Sequence, residues 1–358
     1  MKIISVIGAR PQFIKAAVVS RSIMKYPDEL NEIIIHTGQH FDDNMSKIFF
    51  EEMEIPNPVY NLGIHGKSHG AMTGEMLEGI EKILMNEKPD LVMVYGDTNS
   101  TLAGALAARK LNIRLAHVEA GLRSFNNKMP EETNRILTDR ISDFLFCPTK
   151  TSVANLEREG FRLFGNKILN TGDVMQDAAM YYSQKSSLKS HIISDMKLSY
   201  FILCTLHRAE NTDDLKRLQS IVDALNSISK MINIILPLHP RTKKILETNK
   251  ISLDFKTIDP VGYFDVIELL KHCRLVMTDS GGMQKEAFFF KKHCVTLRDD
   301  TEWIELVEKG FNILSGADTD KIKQSFETMI SKTSDFSEDL YGGGKASERI
   351  VDCFLNIR

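Results

Sequence analysis

The stretch "SVIGARPQFIKAAVV", residues 5–19, carries an apolar run into Gly8, a short turn with Arg10 and Pro11, and then a helical pattern. A strand that feeds a helix through such a turn is the opening of a βαβ unit. The turn lacks the glycine-rich fingerprint of a dinucleotide loop and holds two cations, Arg10 and Lys15, in its place. Both side chains are long enough to reach an anion over the strand end. The stretch therefore predicts an α/β fold whose first strand end meets a negatively charged ligand.

Outward from that unit the alternation repeats. Residues 3–7, 32–36, 91–95, 115–118 and 144–147 read as strands separated by amphipathic helical stretches, which implies a parallel sheet covered on both faces. A second series, 201–205, 232–237, 255–258, 275–278 and 294–297, begins after "KILNTGDVMQDAAMYY". A chain of 358 residues is longer than one hydrophobic core usually grows. The expectation is two Rossmann-like, doubly wound domains, 1–171 and 172–344, divided where Gly172 follows a short strand. A last helix is expected over 345–358, with its N-cap at Ser347 or in the preceding glycine turn.

Bulk properties exclude several classes. The formal net charge of -3 gives no global attraction for nucleic acid. No apolar run approaches membrane-spanning length and no secretory pattern opens the chain, so neither nucleic acid nor membrane is an expected partner and the cytoplasm is the expected address. Five widely spaced cysteines read as reduced core thiols. His65 and His69 in "HGKSHG" lack the Glu or Cys context of a zinc site, and no cofactor motif is present, so no metal and no cofactor are expected. The pattern Met72, Met76, Leu77, Ile80, Leu84 reads as the packing stripe of a helix.

In open α/β sheets ligands bind beyond the carboxyl ends of the strands. The residues there are unusually polar: Gly96-Asp97-Thr98, Glu119-Ala120-Gly121, His207-Arg208, His239-Pro240-Arg241 and Asp279-Ser280-Gly281-Gly282. Ser280, Gly281 and Gly282 enter a helix, where bare backbone N–H groups suit a phosphate, and Glu286 lies farther along that helix, placed for a ribose hydroxyl pair. The plainer reading is an ordinary turn with Ser280 as N-cap. Thr278 stands where a nucleophile elbow needs glycine, so Ser280 is not read as a nucleophile. Arg10, Lys15, His207 and Arg208 supply compensating charge for a diphosphate. Asp97, Glu119, Glu131 and Glu132 form an acidic set whose mutual repulsion would favour proton transfer. Against that stands a structural reading: Asp97 caps a helix, and Glu131 or Glu132 pairs with Arg135.

The ordered set "GARPQFIK", "HTGQH", "YGDTNST", "HVEAGLRS", "MPEETNRILTD", "TLHRAEN", "PLHPRT", "DPVGY" and "DSGGMQKEA" resembles the non-hydrolysing UDP-N-acetylglucosamine 2-epimerases. The resemblance implies the GT-B architecture, with two Rossmann-like domains facing a cleft and the C-terminal helix crossing back to the first. It implies that Arg10, Lys15, His207, Tyr263, Ser280, Gly281 and Gly282 hold UDP, with Glu286 on the ribose. Asp97, Glu119, Glu131 and His207 would be catalytic, with no cofactor, a UDP-sugar as substrate and a homodimer as assembly. The implied reaction eliminates UDP to leave a glycal and adds it back after protonation on the other face. "GARPQ", "TEWIE", "HFDDNMSKIFF", "QKEAFFF" and "LYGGGKAS" look like the branch acting on UDP-2,3-diacetamido-2,3-dideoxy-glucuronate, an O-antigen precursor. Its C5 carboxylate would want a cation, for which Arg123, Lys285 and Arg298 are the candidates. A UDP-sugar glycosyltransferase, a hydrolysing epimerase and a non-catalytic UDP-sugar sensor are the rival readings.

Overall fold

The computed structural model describes residues 1–39 and 53–357. The motif "HFDDNMSKIFF" and His40 of "HTGQH" therefore lie outside the described residues. The chain forms two compact units, Met1–Ala178 with Asp339–Arg358, and Ala179–Glu338. No helix among the described residues is long and apolar enough to cross a membrane.

Among the described residues of the first unit, seven parallel strands run in the order β3-β2-β1-β4-β5-β6-β7. They are β1 Lys2–Ile7, β2 Asn31–His36, β3 Tyr60–Asn61, β4 Leu91–Tyr95, β5 Arg114–Val118, β6 Phe144–Cys147 and β7 Lys167–Asn170. The helices that matter to the site are α1 Arg10–Ile23, α2 His69–Glu87, α3 Asn99–Lys110, α4 Pro130–Ile141, α5 Lys150–Arg158 and α6 Val174–Lys189. Strand order reverses between β1 and β4, the switch point at which a doubly wound sheet opens a crevice. Ile4, Val6, Val92 and Val94 pack on one side against Met76, Ile80 and Leu84 of α2, with Met72 and Leu77 beside them. The helical stripe is thus packing.

The second unit repeats the plan with six strands in the order β10-β9-β8-β11-β12-β13. These are β8 Phe201–Thr205, β9 Asn233–Pro237, β10 Thr257–Ile258, β11 Leu275–Thr278, β12 Cys294–Thr296 and β13 Asn312–Leu314. Ile202 and Cys204 join one core and Phe201 and Leu203 the other, so neighbouring residues of β8 are buried on opposite faces. That is why the strand reads as a continuous apolar run and not as an alternation. The main helices are α7 Leu215–Ser229, α8 Pro240–Thr248, α9 Tyr263–His272, α10 Gly281–Phe289 and α11 Thr319–Ile330. The last helix, α12 Ala346–Leu355, packs against α1 of the first unit. All five cysteines are free, four of them buried.

Of the two places expected for the N-cap of α12, it is the preceding turn that holds it, at Lys345, without a side-chain bond, and not Ser347. Ser347 lies inside the first turn, and the side-chain bonds to that turn come from a distant helix: the Asp177 carboxylate of α6 accepts from the N–H groups of Ala346 and Ser347 at 3.0 and 2.7 Å and from the Ser347 hydroxyl at 2.6 Å. Two short strands, β3 and β13, were not expected, and β10 is two residues long where a run of four was read.

Candidate active site

The first unit's site collects at its switch point. Gly8 follows β1 so close to the end of β2 and the start of α3 that a Cβ there would come within 2.0 Å of Thr37 Oγ1 and 2.3 Å of Ser100 Oγ. Arg10 opens α1, half-buried. Gln12, in the same first turn, is fully buried: its Oε1 accepts from the N–H groups of Gly8 and Ala9 at 2.8 and 3.0 Å, and its Nε2 donates to the Tyr95 carbonyl at 2.8 Å and to Thr101 Oγ1 at 3.0 Å. A glutamate at this position would satisfy the first pair of bonds and not the second, because a carboxylate has no N–H to give. Gln12 therefore ties the β1 turn to the β4 turn and does not read the sugar directly.

Across that tie, the buried Lys15 ammonium forms an ion pair with the Glu119 carboxylate. The pair lies against Gly96, where a Cβ would stand 3.2 Å from both Glu119 Oε2 and Lys15 Nζ. Glu119 itself holds φ at 75°, in the left-handed region that few residues with a Cβ adopt. Asp97 is half-exposed and meets Arg135 Nη2 at 2.6 Å. It does not cap α3, because Thr98 does, accepting from the Thr101 N–H. Glu132 is wholly structural. It accepts from Arg135 Nη1 at 2.7 Å and from Ser124 N, Ser124 Oγ and Phe125 N at 3.0 Å each. Glu131, beside it in the first turn of α4, is half-buried and makes no hydrogen bond or ion pair among the described residues. The expected crowd of repelling acids is thus replaced by Asp97 and Glu119 on separate turns, each facing its own cation.

The second unit's site also collects at a switch point, between β8 and β11. Asp279, fully buried at the end of β11, accepts from the N–H groups of His207 and Arg208 at 3.0 and 2.9 Å, which ties the β8 turn to the β11 turn. The His207 ring stays exposed, with Nδ1 3.6 Å from Asp279 Oδ1. Ser280 is the N-cap of α10, its Oγ accepting from Met283 N. Of the two glycines that open the helix beyond it, only Gly281 is crowded. A Cβ on Gly281 would come within 2.4 Å of Glu302 Oε1 and 3.4 Å of Arg208 Nη2, while a Cβ on Gly282 would meet nothing within 4 Å. Glu286 is buried on the same helix, and Tyr263, first residue of α9, is buried with its ring 5.9 Å from that of Tyr182. Nearby, His239 caps α8 by accepting from Arg241 N. Burial, with the His207 ring and the Arg241 guanidinium, holds its imidazole below the ordinary histidine value.

Three expected sugar-binding cations are already engaged. Arg123 is buried, pairing with Asp139 at 2.7 Å and bidentately with Glu159 at 2.7 and 2.9 Å. Arg298 is buried against Asp300 and Glu302 at 2.9 and 3.0 Å. Lys285 lies under Trp303, its Nζ 4.3 Å from the ring centroid. Desolvation explains all three: a cation this deeply buried is held by its partners. Arg123 and Arg298 thus each already have two acidic partners within the chain. Residues 298–303 instead back the α10 glycines, with Thr301 Oγ1 donating to Gln284 Oε1 at 2.8 Å. Among the described residues no group of three or more His, Cys, Asp or Glu side chains is placed to hold a metal ion, and His69 meets Asn99 at 3.1 Å.

The model of the UDP-N-acetylglucosamine 2-epimerase family matches residues 23–355. The chain belongs to the UDP-N-acetylglucosamine 2-epimerase family. It is 58% identical to the UDP-2,3-diacetamido-2,3-dideoxy-D-glucuronate 2-epimerase of Pseudomonas aeruginosa over 100% of both chains. Among solved structures, it matches the Methanocaldococcus jannaschii UDP-GlcNAc 2-epimerase in complex with UDP-GlcNAc and UDP, with a TM-score of 0.91, 45% identity and 99% of each chain covered. The Neisseria meningitidis UDP-GlcNAc 2-epimerase bound to UDP-GlcNAc matches with a TM-score of 0.89, 32% identity and 100% of each chain covered. The epimerase is thus an isomerase of α/β class with the GT-B type of fold. Sequence reading missed the groups that hold its turns, namely Asp279, His117 and Asn134. Asp279 stood in "DSGG", an acid at a strand end before a glycine turn, and it binds the backbone N–H groups of the neighbouring turn.

Proposed function

We propose that this epimerase inverts C2 of UDP-2,3-diacetamido-2,3-dideoxy-D-glucuronate without net hydrolysis, UDP-N-acetylglucosamine being the second candidate substrate. The observation that carries the reaction is the pair of acids at the first unit's switch point, Asp97 and Glu119, each facing its own cation. The choice of sugar rests on the full-length identity with the Pseudomonas aeruginosa enzyme. The resemblance also carries the expectations of a homodimer and of a place in surface-polysaccharide precursor synthesis.

The C2 hydrogen of the substrate is not acidic, because its neighbour is an acetal carbon and not a carbonyl. In the proposed reaction the C1–O bond breaks as a carboxylate takes the C2 proton, and its electron pair leaves with UDP. A glycal remains. A carboxylic acid on the other face then delivers a proton to C2, and the UDP oxygen returns to C1. Asp97, Glu119 and Glu131 are the acid/base group. Arg10, Lys15, His207 and the N–H groups at Ser280, Gly281 and Gly282 stabilise the departing diphosphate, and electrostatic preorganisation of this kind is the largest contribution a site can make to such a step. Glu286 and Tyr263 hold the nucleoside. Lys15 touches the acid directly, so it serves both the diphosphate and Glu119.

The test is turnover of both UDP-sugars in D₂O. The expected result is deuterium at C2 of an intact, epimerised UDP-sugar, with the higher kcat/KM on the diacetamido-glucuronate. Absence of deuterium with either sugar overturns the mechanism. Release of free sugar favours a hydrolysing enzyme, and a higher kcat/KM on UDP-N-acetylglucosamine reverses the substrate choice.

A further inference from the structure

Three consecutive carbonyls, those of Tyr95, Gly96 and Asp97, each accept a hydrogen bond from a buried side chain: Gln12 Nε2 at 2.8 Å, His117 Nε2 at 2.7 Å and Asn134 Nδ2 at 2.8 Å. The turn they clamp carries Asp97 and has Gly96 at φ 61°. The middle clamp is unlike the other two because it has a charged chain behind it. A carbonyl can only accept, so His117 Nε2 donates to Gly96. Its Nδ1 stands 2.7 Å from Asp139 Oδ1, and Asp139 Oδ2 accepts from Gly121 N at 3.1 Å and from Arg123 Nη1 at 2.7 Å. Burial works to raise the Asp139 carboxyl, but His117 and Arg123 outweigh it and hold it below the usual carboxylate range. Arg123 is anchored in turn by Glu159.

We propose that His117 is a positioning residue of the epimerisation, which sets the Gly96–Asp97 turn through its Nε2 bond while Asp139 fixes its ring. His117 and Asp139 are both fully buried, so neither touches substrate. A buried charged network of this kind is weak support for stability, since apolar packing of equal volume would serve as well. What it does supply is a single ring orientation. Glu119 follows directly on the end of β5, two residues after His117, so one strand leads from the clamp to one of the acids it serves.

The inference rests on the reading that Asp97 and Glu119 exchange the C2 proton, and the test separates the two. His117→Gln places an amide where Nε2 was, which keeps the donor to Gly96 and loses the Asp139 bond. His117→Asn places one where Nδ1 was, which keeps Asp139 and loses Gly96. Measured on the full-length enzyme, His117→Asn should lower kcat and the rate of C2 deuterium uptake by about 10²-fold, with the UDP dissociation constant unchanged, while His117→Gln retains turnover nearer to wild type. Thermal stability should instead follow the Asp139 bond and fall more in the Gln variant. Equal activities, or the reverse order, overturn the proposal. So does failure of both variants to fold, which would make His117 a stability element only. A wild-type enzyme without C2 exchange removes the acid/base reading itself, a result visible before any variant is made.

Discussion

Glu119 pays for its place with backbone strain: a residue with a Cβ at φ 75° costs on the order of 1–3 kcal/mol. The strain falls on the side chain that meets Lys15, while Gly96 opposite has the room for both because it has no Cβ. Asp97, on the neighbouring turn after β4 and outside the positive-φ region, is the residue whose part in the chemistry is easiest to isolate. Asp97→Asn keeps the shape and a hydrogen-bond acceptor for Arg135 and removes the capacity to take a proton. Turnover should fall by about 10²–10⁴-fold while UDP affinity by calorimetry stays unchanged, and retained turnover removes Asp97 from the mechanism. The acids and cations at strand ends were legible in the sequence because strand ends are where such residues have reason to be. Reach was not legible. Gln12 stood only as part of a branch-like motif, and Arg123 and Arg298 stood as candidate cations for a carboxylate, because a sequence does not show which buried acid or carbonyl each side chain meets.

The same limit holds for elements. Strands with four or more buried apolar residues, such as β1, β4 and β8, announce themselves. β3 and β13, of two and three residues, do not, since so short a segment shows no period and is recruited by the edge of an existing sheet. The start of α12 is a clearer case. The sequence invites a local cap, whereas the structure supplies Asp177 from α6, and the Ser347 hydroxyl also sits 3.1 Å from Ser22 of α1. Asp177→Ala strands two helix-terminal N–H groups and a buried hydroxyl. The loss should be at the upper end of the 0.5–2 kcal/mol that a lost cap costs, or about 2 kcal/mol. Urea unfolding monitored by circular dichroism measures it. A variant as stable as wild type would mean that water or the glycines at 342–344 cap α12 unaided.

At the scale of the whole chain, two units with separate cores need not melt as one, and a single transition is not assured. Their acid sensitivities can be told apart through His293, which enters β12 in the second unit. It is 5% exposed, with its ring 5.2 Å from Phe336 and Nε2 2.9 Å from Ser334 Oγ. Burial, with Lys332 and Arg274 adding positive charge nearby, pushes its imidazole from 6.5 down to about 4. Between those two values the unfolded chain binds a proton that the folded unit does not. Stability is therefore fully present above 6.5 and is lost as the pH falls toward about 4. His293→Gln keeps an amide for Ser334 and does not titrate. Scanning calorimetry at pH 7 and pH 5 should show a transition in the wild type that moves to lower temperature in acid. In the Gln variant the same transition should move less, while any transition of the first unit keeps its wild-type pH dependence. If both proteins lose the same stability on acidification, His293 is not the group whose protonation loosens the second unit.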